Sequence, residues 1–188
     1  MTSDKRVRIL SAAGVLISRS GVDACSIHRV AKQAGVATGT IYLYFKNKET
    51  LMAELHERNL RLYAEAFVAG VEDESDLLGQ HRRLWRNALN YHKLNPTIHR
   101  LWVHLETLPR GHRHQQLVED LFQPVKHFLS SGVEQGYFKP LPGELLYALA
   151  FGQINEICRF MMLRQVQFSE QNMDAAQLAS WDAIILHP

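Results

Sequence analysis

Residues 26–51 read Ser-Ile-His-Arg-Val-Ala-Lys-Gln-Ala-Gly-Val-Ala-Thr-Gly-Thr-Ile-Tyr-Leu-Tyr-Phe-Lys-Asn-Lys-Glu-Thr-Leu, and this run decides the fold. Ser26 suits a helix N-cap, because its hydroxyl accepts from a free N–H of the first turn. Ile27, Val30, Ala31 and Ala34 come next at helical spacing and make one apolar face. Gly35 stops that helix, since the residue past a helix end is often left-handed and glycine takes this conformation without steric cost. Val36 plugs the corner. A second helix opens at Ala37 or Thr38, with Ile41 and Phe45 on its buried side and Thr38, Thr40, Tyr42 and Tyr44 on its outer part. Asn47 caps the next helix.

Two short helices around a glycine corner make a helix-turn-helix, whose second helix fits the DNA major groove. Hydroxyls at Ser26, Thr38, Thr40, Tyr42 and Tyr44 suit phosphates or base edges. Ala37 and Gly39 leave the backbone free to approach the sugar-phosphate chain, and Lys46 and Lys48 supply charge against it. The run from Val30 to Leu51 resembles the DNA-binding signature of TetR/AcrR-family transcriptional repressors. Two positions depart from that pattern. Arg29 stands where the family often has an acidic residue, and Cys25 stands where a small or hydroxylated one is usual.

Charge shows the same division. Residues 1–50 carry eight Lys/Arg against three Asp/Glu, a net +5, while residues 51–188 carry thirteen against sixteen, a net −3. Positive charge gathered on the first segment suits a DNA-contacting head. Lys5 and Arg6, at the start of a first helix over 4–19, are read either as phosphate contacts or as a solvated helix end. Val7, Leu10, Ala13 and Ile17 form that helix's apolar stripe. Gly14 lies inside it and invites a close-packed neighbour.

The remainder reads as helices over 48–69, 76–93, 96–107, 113–135 (kinked at Pro124), 144–166 and from Asp174 to 186, so the fold class is all-α with about nine helices. The expected division is a DNA-binding domain over 1–47 and a helical effector-binding and dimerisation domain over 48–188. The helix at 144–166 is apolar nearly all round, which asks for burial on two sides. In the family the last two helices of each subunit form a four-helix dimer interface, so the resemblance implies a homodimer through 144–166 and 174–186, a palindromic operator on double-stranded DNA, and release by a small molecule. Candidate effector contacts are Tyr63, Phe67, Trp85, Trp102, Phe122 and Phe151, with Glu106 and Asn155 as polar partners; as a set they suit a lipophilic or aromatic ligand.

Other functions find less support. No nucleophile elbow, phosphate-binding loop or H-E-x-x-H is present, so neither an enzyme nor a cofactor is expected. No apolar run is long enough for a membrane span, and an N-terminus without a secretory apolar segment points to the cytoplasm. Seven of ten histidines fall between His81 and His127, which raises metal sensing. No bound metal is expected, however, because zinc needs convergent ligands with polar support. Cys25, near basic residues and a helix start, raises redox sensing through a lowered thiol pKa; the plainer reading is an inert buried thiol. A partner-controlled DNA-binding protein without an effector is the remaining alternative.

Overall fold

The computed structural model describes residues 2–96, 98–105 and 112–187. Among them are ten α-helices: α1 Thr2–Ser20, α2 Ile27–Ala34, α3 Thr38–Tyr42, α4 Lys48–Val68, α5 Leu77–Leu94, α6 Ile98–Leu105, α7 His112–Leu121, α8 Gln123–Glu134, α9 Gly143–Leu163 and α10 Glu170–Ile184. The only β-pairing among the described residues is an isolated bridge between Phe138 and Ile185. Contacts divide the chain into two compact units, Met1–Arg61 with Thr97–Gln115, and Leu62–Pro96 with Gln116–Pro188. This division differs from a boundary at 47/48: the first two-thirds of α4, and α6 with the start of α7, belong with the N-terminal helices.

In the first unit α1 buries Ile9, Leu10, Ala13 and Ile17, while Val7, read as part of this stripe, is exposed. Phe45, Leu51, Met52 and Leu55 complete the core with Ile41. A Cβ built on Gly14 would lie 3.7 Å from Leu55 and 3.8 Å from Leu101. Those are ordinary contacts, so α6 does pack there but no glycine is required.

In the second unit, Asp76 caps α5 by accepting from Gly79 N at 2.7 Å. Residues 113–135, read as one kinked helix, form two, because Pro124 sits in the first turn of α8. Proline has no N–H to give an i−4 carbonyl, but at a helix start that donor is not needed. Gly132 permits a close approach: a Cβ there would overlap the Phe138 ring. The last helix begins earlier than Asp174. Ser169 accepts from Asn172 N at 3.1 Å and the Asn172 side chain accepts from Ser169 N, a reciprocal capping box. Asp174 lies inside α10 and makes an exposed pair with Arg86 at 3.5 Å. At the core, the Nδ1 of fully buried His81 accepts from Gln177 Nε2 at 2.8 Å, and Ser180 lies 3.3 Å from its Nε2, tying α5 to α10. Burial lowers the His81 pKa to about 4, because a charged imidazolium would lose its hydration there.

Candidate nucleic-acid interface

The corner between α2 and α3 is built by backbone chemistry. Ser26 has extended backbone (φ −99°, ψ 153°) and its hydroxyl accepts from Arg29 N at 3.2 Å. Past the other end of α2, Gly35 is left-handed (φ 64°, ψ 41°). Its N–H donates to Lys32 O at 3.3 Å, and Val36 N donates to Ala31 O at 3.0 Å. These are the paired bonds of a Schellman motif, which satisfy carbonyls that a helix end leaves open. Arg8 of α1 braces the corner, with Nη2 donating to Ala34 O at 2.7 Å.

α3 is shorter than the residues available to it. Tyr44 N donates to Ile41 O at 2.9 Å, a tightened turn that closes the helix, and Phe45 N shares the same acceptor at 2.9 Å. Ile41 and Phe45 are buried as read from their spacing. Facing outward are Tyr42, 56% exposed, and Leu43, 82% exposed, with Thr38, Thr40 and Tyr44 half-buried and Ala37, Gly39 and Lys46 exposed. Sequence reading misses Leu43, although it lies about 200° around the helix from buried Ile41. It misses His28 too, which lies on α2 with Nδ1 3.5 Å from the Thr38 hydroxyl. A Cβ built on Gly39 meets nothing within 4 Å, and its φ is not positive. Nothing inside the protein therefore demands glycine at that exposed position.

The basic residues divide by what they hold. Lys48 donates from Nζ to Val22 O at 2.9 Å, and Arg29 from Nη1 to Ala24 O at 2.6 Å. Arg6 donates from Nε to Glu54 at 3.0 Å, and its guanidinium lies 5.7 Å from the Phe45 ring centre. Its first task is thus internal to the head. Cys25 is fully buried, and burial pushes its thiol pKa up despite the nearby Lys48 and Arg29 charges. The expectation of a lowered thiol pKa is therefore corrected: desolvation outweighs the basic neighbours.

The candidate effector residues fall in both units. In the second unit Tyr63 stacks on Phe67 at 5.4 Å, Phe122 lies 6.2 Å from Tyr63 and 6.1 Å from Phe67, and Phe151 meets Phe67 edge-on at 5.4 Å. Trp85 is buried on α5, and its indole N–H has no hydrogen-bond partner among the described residues. Trp102 is half-buried in the first unit. Asn155 is exposed on α9, one turn beyond buried Phe151 and one turn before buried Cys158. Glu106 lies outside the described residues. Among the described residues, no group of three or more His, Cys, Asp or Glu side chains converges as a metal site. No helix of the described residues is long and apolar enough to cross a membrane.

Two family models match this chain. "Bacterial regulatory proteins, tetR family" covers residues 9–55, and "Tetracyclin repressor-like, C-terminal domain" covers residues 77–185. The chain belongs to the TetR family. A solved TetR-family protein from Vibrio parahaemolyticus, described as a transcriptional regulator, is 35% identical with a TM-score of 0.87, covering 97% of this chain and 100% of that one. An HTH-type transcriptional regulator from Haemophilus influenzae is 25% identical, over 97% of this chain and 96% of its own length. The fatty acid metabolism regulator protein of Bacillus subtilis is 26% identical, over 81% of this chain and 80% of its own. As a TetR-family protein the chain is a DNA-binding transcriptional regulator, and its role is regulatory rather than catalytic.

Proposed function

We propose that this TetR-family chain is a cytoplasmic repressor that binds a palindromic operator as a homodimer and is released by a small lipophilic or aromatic effector. The observation that carries the DNA contact is the surface of α3 and its C-cap: Gly39, Tyr42 and Leu43 are exposed and Thr38 and Thr40 half-buried, while Ile41 and Phe45 anchor the element. Hydroxyls at Thr38, Thr40, Tyr42 and Tyr44 hold phosphates or base edges, Leu43 offers an apolar surface to a thymine methyl, and Lys46 neutralises phosphate. Lys48 shares its ammonium between Val22 O and the same backbone.

Dimerisation through α9 and α10 has its own support. In the single chain Leu145 and Leu149 remain 45% and 36% exposed on α9, and Leu178 is 43% exposed on α10. Ala148, Gly152 and Asn155 continue the exposed side of α9, and a Cβ on Gly152 would meet nothing within 4 Å. A second copy would cover these apolar side chains. Two recognition helices then meet successive major grooves, roughly 34–36 Å apart, which asks for operator half-sites at that spacing.

A lipophilic effector is supported by the aromatic packing of Tyr63, Phe67, Phe122 and Phe151, by the unmet donor on Trp85, and by the similarity to a fatty acid metabolism regulator. An acceptor on the ligand would satisfy the indole N–H, which burial otherwise penalises. The last part of α4, carrying Tyr63 and Phe67, continues from the part that belongs with the DNA-binding head. An effector that favours one setting of α4 lowers DNA affinity by the same coupling factor.

Selection of bound genomic fragments by the purified protein tests the reading: a palindromic site is expected, and sequence-indifferent, salt-sensitive binding would refute it. Tyr42→Ala should weaken binding to the selected site while leaving the dimer intact.

A further inference from the structure

In the second unit a hollow of about 190 Å³ is lined by His92, Lys93, Pro96, Cys158, Met161 and Met162. Four of these six side chains carry a thiol, an imidazole or a thioether. Cys158, Met161 and Met162 are spaced i, i+3 and i+4 on α9, so they rise from one turn on one face. His92 faces the same hollow from the last turn of α5. Cys158 and His92 are each 2% exposed, and both methionines are partly exposed. Methionine and cysteine also fill apolar space, but together with the His92 imidazole their sulfurs bring four soft or borderline donors to one hollow.

We propose that this hollow is a binding site for one soft monovalent metal ion, Cu(I) or its redox-inert analogue Ag(I), held by Cys158, Met161, Met162 and His92. Thiolate and thioether ligands select soft ions over hard ones. Lys93 sharpens the choice of charge: a monovalent ion on one thiolate is neutral overall, whereas a divalent ion leaves a positive charge beside an ammonium group. On binding, the Cys158 S–H bond breaks, the sulfur–metal bond forms and the proton leaves to solvent, with no change in oxidation state. Burial pushes the thiol up to about 11, with Lys93 pulling the other way, so the metal meets a protonated sulfur at neutral pH.

The site goes beyond the lipophilic-effector reading and is measured without DNA, so its failure leaves the operator reading untouched. The full-length reduced protein is titrated anaerobically with Cu(I) against a chromophoric Cu(I) chelator, and separately with Ag(I), with stoichiometry read by native mass spectrometry. One ion per chain is expected. Cys158→Ser and the double variant Met161→Leu/Met162→Leu should each weaken binding by at least about tenfold, while Cys25→Ser, in the other unit, should bind as the parent does. Circular dichroism verifies that each variant is folded. Loss of the metal to the chelator by the parent protein would overturn the proposal. So would parent-like binding by both Cys158→Ser and the methionine variant, or tighter retention of Zn(II) than of Cu(I).

Discussion

Replacing Gly39 with alanine separates folding from DNA binding. Gly39 is the second residue of α3, its φ is not positive, and a Cβ there would meet nothing within 4 Å. The folded protein therefore accepts the methyl without a clash. Alanine also loses less backbone entropy than glycine on entering a helix, so stability should rise by about 0.5–1 kcal/mol. Operator affinity should move the other way. A methyl on this exposed turn holds the backbone off the sugar-phosphate chain. Losing one hydrogen bond to a charged phosphate costs about 1.5–3 kcal/mol, or roughly ten- to hundredfold in Kd. Thermal unfolding and fluorescence anisotropy with the selected operator read the two effects on the same preparation. Unchanged affinity in a variant of equal or higher Tm would refute the close approach of DNA at this position. A lowered Tm would refute the claim that only the outside of the protein requires glycine there.

Two other helical glycines should respond with opposite signs. Gly14→Ala, with its new methyl 3.7–3.8 Å from Leu55 and Leu101, should gain up to about 1 kcal/mol in denaturant unfolding. Gly132→Ala would drive a methyl into the Phe138 ring and should lose about 1–3 kcal/mol by overpacking. Stability should also depend on pH through His81. Its folded pKa is about 4 against 6.5 in the unfolded chain, so the unfolded state binds the extra proton. The contribution is fully present above about pH 6.5 and is lost as pH falls toward 4, by at most about 3 kcal/mol. Urea titrations across that range should show the decline, and His81→Gln should flatten it.

Much of the DNA-binding head is legible from residue order because its determinants are local. Ser26 three residues before the N–H it caps, Gly35 at the helix end, and Ile41 and Phe45 one turn apart each act within a few positions. Leu43 is legible by the same rule, but leucine reads as core and its exposure goes unnoticed. The contact partners of Lys48, Arg29 and Arg6 are not legible, since Val22 O, Ala24 O and Glu54 are brought to them only by the folded corner. The start of α10 is ambiguous in the sequence because Asp174 and Ser169 are both good caps, and the reciprocal bond with Asn172 decides between them.

By itself the sequence determined that the chain is all-α, that residues 26–51 form a helix-turn-helix, and that positive charge gathers beside it. Helical period, capping residues and left-handed glycine are properties of short segments, and they survive without knowledge of the rest. Only the tertiary structure decided that Cys25 is desolvated rather than activated, and that Asn155 is exposed. It alone placed His92 opposite Cys158 and the two methionines on one hollow. These outcomes depend on which segments distant in the chain come to lie against one another. Burial, pKa and convergence are set by those neighbours and not by the residue's own position in the sequence.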